Sequence, residues 1–276
     1  MTRYSVAQPM RVALAGFGNV GQELAIRLTA GAIPEARLTA IAARDLDKAR
    51  ANSAGLEPRP LVLPVAELPA HADVVVECAT AAALPEIARA ALDAGKVLVP
   101  VSVGGLAAHP EILAWAEGGG RIRVATGALP GLDAIRTAAE DEIRSVRLIS
   151  RIRPESLAHE DHVRRLGFDF ATPPAEAQKV FEGTAREAAL AFPRHFNVAV
   201  TVSLAGIGLE RTLVTMYADP AIAGTVHLVE VDAENFQLRL ESRNRPSATN
   251  QRTSRAVSPS ILAALRALIS PVQVGS

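Results

Sequence analysis

The segment Gly16-Phe17-Gly18-Asn19-Val20-Gly21 constrains this chain more than any other feature. Three glycines at this spacing are a weak sign in isolation, because glycine is common in loops. Here they follow an apolar run at residues 11–15 and lead into a stretch that carries Leu24 and Leu28 at helical spacing. A strand that ends in such a turn and opens a helix is the setting in which the spacing has meaning. The first glycine permits a tight turn, the second lets a phosphate approach the backbone, and the third lets helix and strand pack closely. The helix N-terminus then offers unpaired N–H groups and a positive dipole end to an anion.

Further apolar runs at residues 38–43, 73–77, 97–103 and 121–125 show little polar alternation, as strands covered on both faces do. Helical periodicities separate them. The clearest spans residues 84–94, where Leu84, Ile87, Ala88, Ala91 and Leu92 recur and Gly95 stands at the C-terminal cap position. The implied class is α/β, with a Rossmann doubly wound parallel sheet over residues 1–127 that binds a dinucleotide. The rhythm changes after Gly127. Residues 131–141 and 174–205 read as helices, the second broken near Gly183 and at Pro193. Residues 145–153, 211–218, 226–233 and 235–242 read as strands. In the last of these, Phe236, Leu238 and Leu240 alternate with Gln237, Arg239 and Glu241, as in a sheet with one wet face. A second, α+β domain of mainly antiparallel sheet is expected over residues 128–253, with a helix at 258–269 in a C-terminal segment, 254–276, that packs back on the first domain.

Composition adds exclusions. Lys plus Arg and Asp plus Glu number 29 each, so no electrostatic case exists for nucleic acid or an anionic membrane as partner. The single cysteine, Cys78, excludes an internal disulfide and fits a reducing compartment. No apolar run is long enough to span a bilayer, and residues 1–10 lack the blocks of a signal peptide. A cytoplasmic protein is expected.

Ligands of open parallel sheets bind outside the carboxyl ends of the strands. Gly16, Phe17, Gly18, Asn19, Val20 and Gly21 are therefore candidates to hold a pyrophosphate. Ala79 and Thr80, and Ser102, Val103 and Gly104 after the next run, are small enough to admit ribose and nicotinamide. The second strand ends Ala42-Ala43-Arg44-Asp45. Arg44 suits a ribose 2′-phosphate, whereas Asp45 one residue on would suit a 2′-hydroxyl. The expected cofactor is NAD or NADP, with NADP accepted at least as well. Cys78 reads as a small buried hydrophobe rather than a redox group.

Of the six histidines, His71 and His109 fall at polar turns. His159 and His162 flank Glu160 and Asp161 at ligand-like spacing, but with no further ligands at matching spacing they read as a solvated loop, and no metal is expected. His195 stands at the start of a helix. His227 lies on a strand with Val229 and Val231 on its face, which leaves both a core and a catalytic reading open. Arg243, Arg245 and Arg252 form a basic loop that suits a dicarboxylate or is simply solvated.

Several linked motifs then carry a resemblance. They are Gly16–Gly21, Ser102-Val103-Gly104, Thr126-Gly127-Ala128-Leu129-Pro130-Gly131-Leu132-Asp133-Ala134, and Phe181-Glu182-Gly183-Thr184-Ala185-Arg186-Glu187-Ala188. Phe192-Pro193 with Asn197-Val198-Ala199, and Ala218-Asp219-Pro220 with His227, complete the series. Over nearly its whole length the chain resembles the L-aspartate dehydrogenase family. That resemblance implies a homodimer that oxidises L-aspartate, or a related small amino acid, to iminosuccinate, which hydrolyses to oxaloacetate and ammonia, or runs the reverse. It implies His227 as the general acid/base, and Gly127, Ala128, Leu129, His195, Asn197 and Thr225 as substrate-binding positions. The chain departs from the family pattern at Pro130 (usually Gly), Thr225 (usually Asn), His195 (usually Asn) and Asn250-Gln251-Arg252-Thr253-Ser254 (usually Asn-Pro-Lys-Thr-Ser). Homoserine dehydrogenases use active-site lysines, and Lys48, Lys96 and Lys179 stand in unlike positions; the paired-histidine and lysine motif of dihydrodipicolinate reductases is absent. The rival from another class is a non-catalytic nucleotide sensor or partner-binding protein of the same fold, which Thr225 and Pro130 would favour.

Overall fold

The computed structural model describes residues 4–170, 172–192, 195–245 and 254–275. They divide into two compact units, Met1–Ala125 with Ser258–Gln273, and Thr126–Val257 with Val274–Ser276.

Six parallel strands form the sheet of the first unit: β1 (Met10–Ala15), β2 (Ala36–Ala42), β3 (Leu61–Val62), β4 (Val74–Glu77), β5 (Val97–Pro100) and β6 (Arg121–Ile122). Their order is β3-β2-β1-β4-β5-β6. Helices α1 (Asn19–Thr29), α2 (Leu46–Asn52), α3 (Leu84–Asp93), α4 (Gly105–Ala108) and α5 (Glu111–Trp115) lie in the connections. The absence of polar alternation has the anticipated cause: all four residues of β4 are buried. Helix α3 buries Leu84, Ile87, Ala88, Ala91 and Leu92, and Gly95 follows it at φ +67°. The chain runs from β1 outward to β3, then returns to the other side of β1 as β4. The loops leaving β1 and β4 therefore diverge, and Ala15 stands directly beside Glu77 at this switch point.

Two runs end earlier than their apolar character predicts, and β3 carried too few residues to be read at all. The run at 97–103 stops being strand at Pro100: Val101 N–H still reaches the Glu77 main-chain carbonyl, but Ser102 N–H turns to the Glu77 carboxylate. The run at 121–125 is strand only over Arg121–Ile122.

The second unit has a mixed sheet of β7 (Ile143–Ile152), β8 (Gln178–Thr184), β9 (Thr212–Ala218), β10 (Val226–Ala233) and β11 (Gln237–Arg243), in the order β11-β10-β7-β9-β8. Only β7 and β9 pair in parallel. Helices α6 (Leu132–Ala138), α7 (Pro154–Leu157), α8 (Asp161–Arg165), α9 (Ala185–Ala191) and α10 (Asn197–Ala205) complete it. Val146 and Leu148 of β7, Val214 and Met216 of β9, and Val229 and Val231 of β10 share one core with Ile135, Ala188 and Val202 from α6, α9 and α10. The opposite face of the sheet carries Arg147, Leu213, Glu230 and Arg239, as alternation requires.

Of the broken helix expected over residues 174–205, the later parts are helices, α9 and α10, but the part before Gly183 is not. Gln178–Thr184 is an edge strand, paired only with β9 through an irregular register. Val180 is its one buried residue, so no period of two is visible in the sequence. Pairing with β9 overrides local preference here. Thr184 then opens α9 through a capping box with Glu187. Pro193, the second expected break, lies outside the described residues.

The last helix, α11 (Val257–Ala267), belongs with the first unit from Ser258 onward. It buries Ile261, Leu262, Ala264 and Leu265, and Arg266 donates from Nη2 to the Ala32 carbonyl at 2.6 Å.

Candidate active site

Strand β1 delivers Gly16 against the mouth of β4. Gly16 N–H donates to the Ala42 carbonyl and Cys78 N–H to the Ala15 carbonyl, both at 2.7 Å. Gly16 has φ +112°, and a Cβ there would lie 2.4 Å from the carbonyl carbon of Cys78. A Cβ on Gly21 would lie 2.3 Å from the Gly16 carbonyl oxygen. A Cβ on Gly18 would meet nothing within 4 Å. Packing thus requires the outer two glycines, while the middle one keeps the backbone open to a ligand. Helix α1 has no side-chain cap and no acidic residue in its first turn, so its N-terminal amides face an anion without competition from a carboxylate. Asn19 is exposed, and Phe17 and Val20 are half-buried. These features fit the pyrophosphate of a dinucleotide.

Arg44 is exposed just beyond β2. Asp45 is engaged otherwise: its Oδ1 accepts from Lys48 N–H at 2.9 Å and caps α2. On the next strands, Thr80 is exposed, Ala79, Ser102 and Gly104 are half-buried, and Val103 turns its side chain into the core. Burial, with the neighbouring Glu77 carboxylate, pushes the Cys78 thiol up, which keeps it protonated and unreactive.

In the second unit His227 projects from β10 on the core face, 4% exposed. Its register partners are Ser150 on β7 and Ser242 on β11. The Ser150 hydroxyl lies 2.9 Å from His227 Nδ1. Burial lowers the His227 pKa from 6.5 to about 4, so the ring is neutral at physiological pH. The ordinary value near neutrality, expected for an exposed ring, does not apply.

A chain of hydrogen bonds runs along the adjoining row. Ser254 Oγ donates to Asn244 Oδ1 at 2.6 Å, Asn244 Nδ2 to Ser242 Oγ at 3.2 Å, and Ser242 Oγ to the Ala128 carbonyl at 3.0 Å. Asn244 N–H also donates to the Thr225 carbonyl at 2.8 Å. The fold therefore brings His227, Ala128 and Thr225 into one polar neighbourhood. Beside it, Gly127 takes φ +62° and Leu129 is buried.

His195 and Asn197 stand at the start of α10. His195 Nε2 lies 3.2 Å from Glu160 Oε1, and both side chains are largely buried. The solvated-loop reading of residues 159–162 thus holds only in part. His159 is exposed, but Glu160 is buried and His162 packs on Phe192 with ring centroids 5.0 Å apart. Of the basic loop, Arg243 sits on the face opposite His227, bonded to Glu241 at 2.6 Å. Arg245 is exposed, and Arg252 lies outside the described residues.

Sequence reasoning passed over Ser150 and Glu77 as site residues and read Glu160 as part of a solvated loop. Only Glu77 left a signal, a single carboxylate closing the run Val74-Val75-Val76.

An open parallel sheet with this glycine turn, joined to an α+β unit that carries a buried histidine, defines a nicotinamide-nucleotide-dependent dehydrogenase. Residues 16–125 match the family model described as homoserine dehydrogenase, NAD binding domain, and residues 133–268 the model described as aspartate dehydrogenase, C-terminal. L-aspartate dehydrogenase 3 of Bordetella bronchiseptica is 42% identical over 276 residues, covering 99% of this chain and 100% of that protein. The L-aspartate dehydrogenase of Bradyrhizobium diazoefficiens is 40% identical, covering 100% and 98%. The crystal structure of aspartate dehydrogenase from Thermotoga maritima has the same fold, with a TM-score of 0.71 at 24% identity over 96% of this chain and 99% of that one. The chain belongs to the L-aspartate dehydrogenase family.

The buried histidine has a consequence for stability. Folding lowers its pKa below the ordinary value, so as the pH falls from 6.5 towards 4 the unfolded chain gains a proton that the folded chain refuses. The stability associated with this ring is complete above that window and declines through it, by on the order of 3 kcal/mol at its acid end. Urea denaturation of wild type and His227→Gln across the window checks this. The variant is expected to lose that part of the pH dependence.

Proposed function

We propose that this chain catalyses the NAD(P)-dependent oxidative deamination of L-aspartate, taking aspartate, water and oxidised cofactor to oxaloacetate, ammonium, a proton and reduced cofactor. The observation that carries the reading is His227, neutral, buried and held at Nδ1 by Ser150, in a chain matched end to end by L-aspartate dehydrogenases. Nothing in the site favours a non-catalytic sensor.

When bound, the nicotinamide nucleotide supplies the two-electron redox chemistry. The α1 amides and Gly18 backbone would hold its pyrophosphate, and Ala79, Thr80, Ser102 and Gly104 would line the space for its ribose and nicotinamide. Val103 contributes backbone only. His227, fixed at one nitrogen, works through Nε2. It accepts a proton from the substrate amine or the attacking water and returns it later. A ring with so low a pKa is a weak base alone. An anionic dicarboxylate beside it favours the imidazolium, so substrate binding itself raises its basicity. The Gly127-Ala128-Leu129 backbone, His195, Asn197 and Thr225 orient the substrate. Arg243, on the face opposite His227, is not among them.

The assay is kinetic. His227→Ala is expected to lower turnover of aspartate by roughly 10²–10⁴-fold, with nucleotide affinity nearly unchanged because the glycine turn belongs to the other unit. Full turnover in the variant would remove His227 from the mechanism.

Cofactor choice rests on Arg44. Since Asp45 is occupied as a helix cap, the cationic group is the one available to a 2′-phosphate, and NADP is accepted at least as well as NAD. Arg44→Ala is expected to raise the KM for NADP several-fold and to leave that for NAD within about twofold, as loss of one charge-assisted contact does. A strong NAD preference that the variant leaves unchanged refutes this.

We also propose a homodimer formed through the solvent face of the second-unit sheet. Leu213, 46% exposed, with half-buried Ile149, Tyr217 and Leu228, gives that face its apolar content. Sedimentation at micromolar concentration reads the assembly directly, and a monomer mass would rule it out. The lone Cys78 supports a reducing, cytoplasmic setting.

A further inference from the structure

Strand β4 reads Val74-Val75-Val76-Glu77, and all four residues are buried. A position that only had to fill the core would carry a fourth apolar residue, because a buried carboxylate is costly unless donors surround it. Donors surround this one. Glu77 Oε1 accepts from Ala79 N–H at 2.7 Å and Ser102 Oγ at 3.0 Å. Glu77 Oε2 accepts from Ser102 N–H at 2.8 Å and Val101 N–H at 3.1 Å.

These four bonds do local work. Val101 N–H is shared between the Glu77 main-chain carbonyl at 3.0 Å and Oε2, whereas Ser102 N–H goes to Oε2, so at Ser102 the carboxylate takes over from the sheet and the chain enters the turn that carries Gly104. The Ser102 hydroxyl, 3.3 Å from the Ala79 carbonyl, also bridges the mouths of β4 and β5. The bond to Ala79 N–H holds the peptide on which Gly16 packs: a Cβ on Gly16 would lie 2.6 Å from that nitrogen. One side chain thus braces the exits of β1, β4 and β5.

We propose that Glu77 is a positioning residue for the nicotinamide end of the cofactor site, holding the Ser102-Val103-Gly104 turn in its ligand-ready shape through three backbone amides and the Ser102 hydroxyl. The proposal rests on the reading that a nicotinamide nucleotide binds at this strand mouth. Three of the four bonds go to the β5 turn and one to the β4 exit, so the nicotinamide end depends on Glu77 more than the adenine and pyrophosphate end does. Preorganisation of this kind strengthens binding by sparing the turn an ordering cost on association.

The test is calorimetric, on wild type, Glu77→Gln and Ser102→Ala, with two pairs of probes: NADP against 2′-phospho-ADP-ribose, and NAD against ADP-ribose. Each fragment lacks nicotinamide. Glu77→Gln keeps the side-chain shape but turns an NH2 towards N–H donors. It is expected to weaken dinucleotide binding by about tenfold or more, the scale of lost hydrogen bonds to a charged group, and fragment binding by no more than about twofold. Ser102→Ala is expected to act in the same direction with a smaller loss, and it carries the test alone if Glu77→Gln does not fold. Equal losses for dinucleotide and fragment would reduce Glu77 to a support of the fold and overturn the proposal, as would no loss in either. Failure of wild type to bind any of the four probes would instead overturn the reading of the site as a nucleotide site, and the proposal with it.

Discussion

The Gly16 peptide lies so close to the Cys78–Ala79 peptide that a single added carbon would stand 2.4 Å from the Cys78 carbonyl carbon. That contact is possible only between two bare stretches of backbone, and much of the first unit follows from it. It lets β1 run beside β4 to its last residue and then turn sharply enough to start α1 with its amides at the mouth of the sheet. The same crowding recurs at Gly21, whose hydrogen faces the Gly16 carbonyl. Between the two, Gly18 borders open space. Close packing and open access alternate within six residues, and the anion site is the product of both.

The two buried acid–base groups differ in their partners. Burial raises the Glu77 pKa, and the N–H and O–H donors around it oppose that rise without cancelling it. His227 has one hydroxyl partner, and burial acts on it almost unopposed, so it stays neutral. A carboxylate that must shape backbone needs many fixed partners. The proton exchange proposed for His227 needs one partner to hold the ring and a second nitrogen left to the substrate. Ser150 suits this arrangement, because a hydroxyl can donate or accept as the tautomer requires, whereas the Ser242 hydroxyl is engaged with Ala128 and Asn244.

Much of the architecture was legible because burial on two faces, or on one, leaves a different periodicity. Unbroken apolar runs gave away the parallel strands, and the alternation of Leu238 and Leu240 with Gln237 and Arg239 gave away β11. The failures have equally definite causes. Strand β8 buries one side chain and owes its conformation to β9, so its sequence carries no periodic mark. Residues 101–103 look like strand because the group that ends the strand, Glu77, lies 24 residues before Val101, the first amide of that run within its reach. For Arg243 the sequence leaves a carboxylate ligand and a solvated loop equally open, and register decides by putting it on the face opposite His227.

What the sequence determined alone was whatever depends on neighbours along the chain: the glycine turn, the helix start after it, the strand periods and the linked motifs of the family. The tertiary structure alone decided which polar groups meet. Ser150 is 77 residues from His227, and Ser242 is 114 from Ala128. Asp45 turned out to be a helix cap, Glu160 a partner of His195, and His227 a neutral ring rather than one poised near pH 7. Each of these outcomes depends on strand register and on exclusion of water, and both arise only when segments distant in sequence pack together.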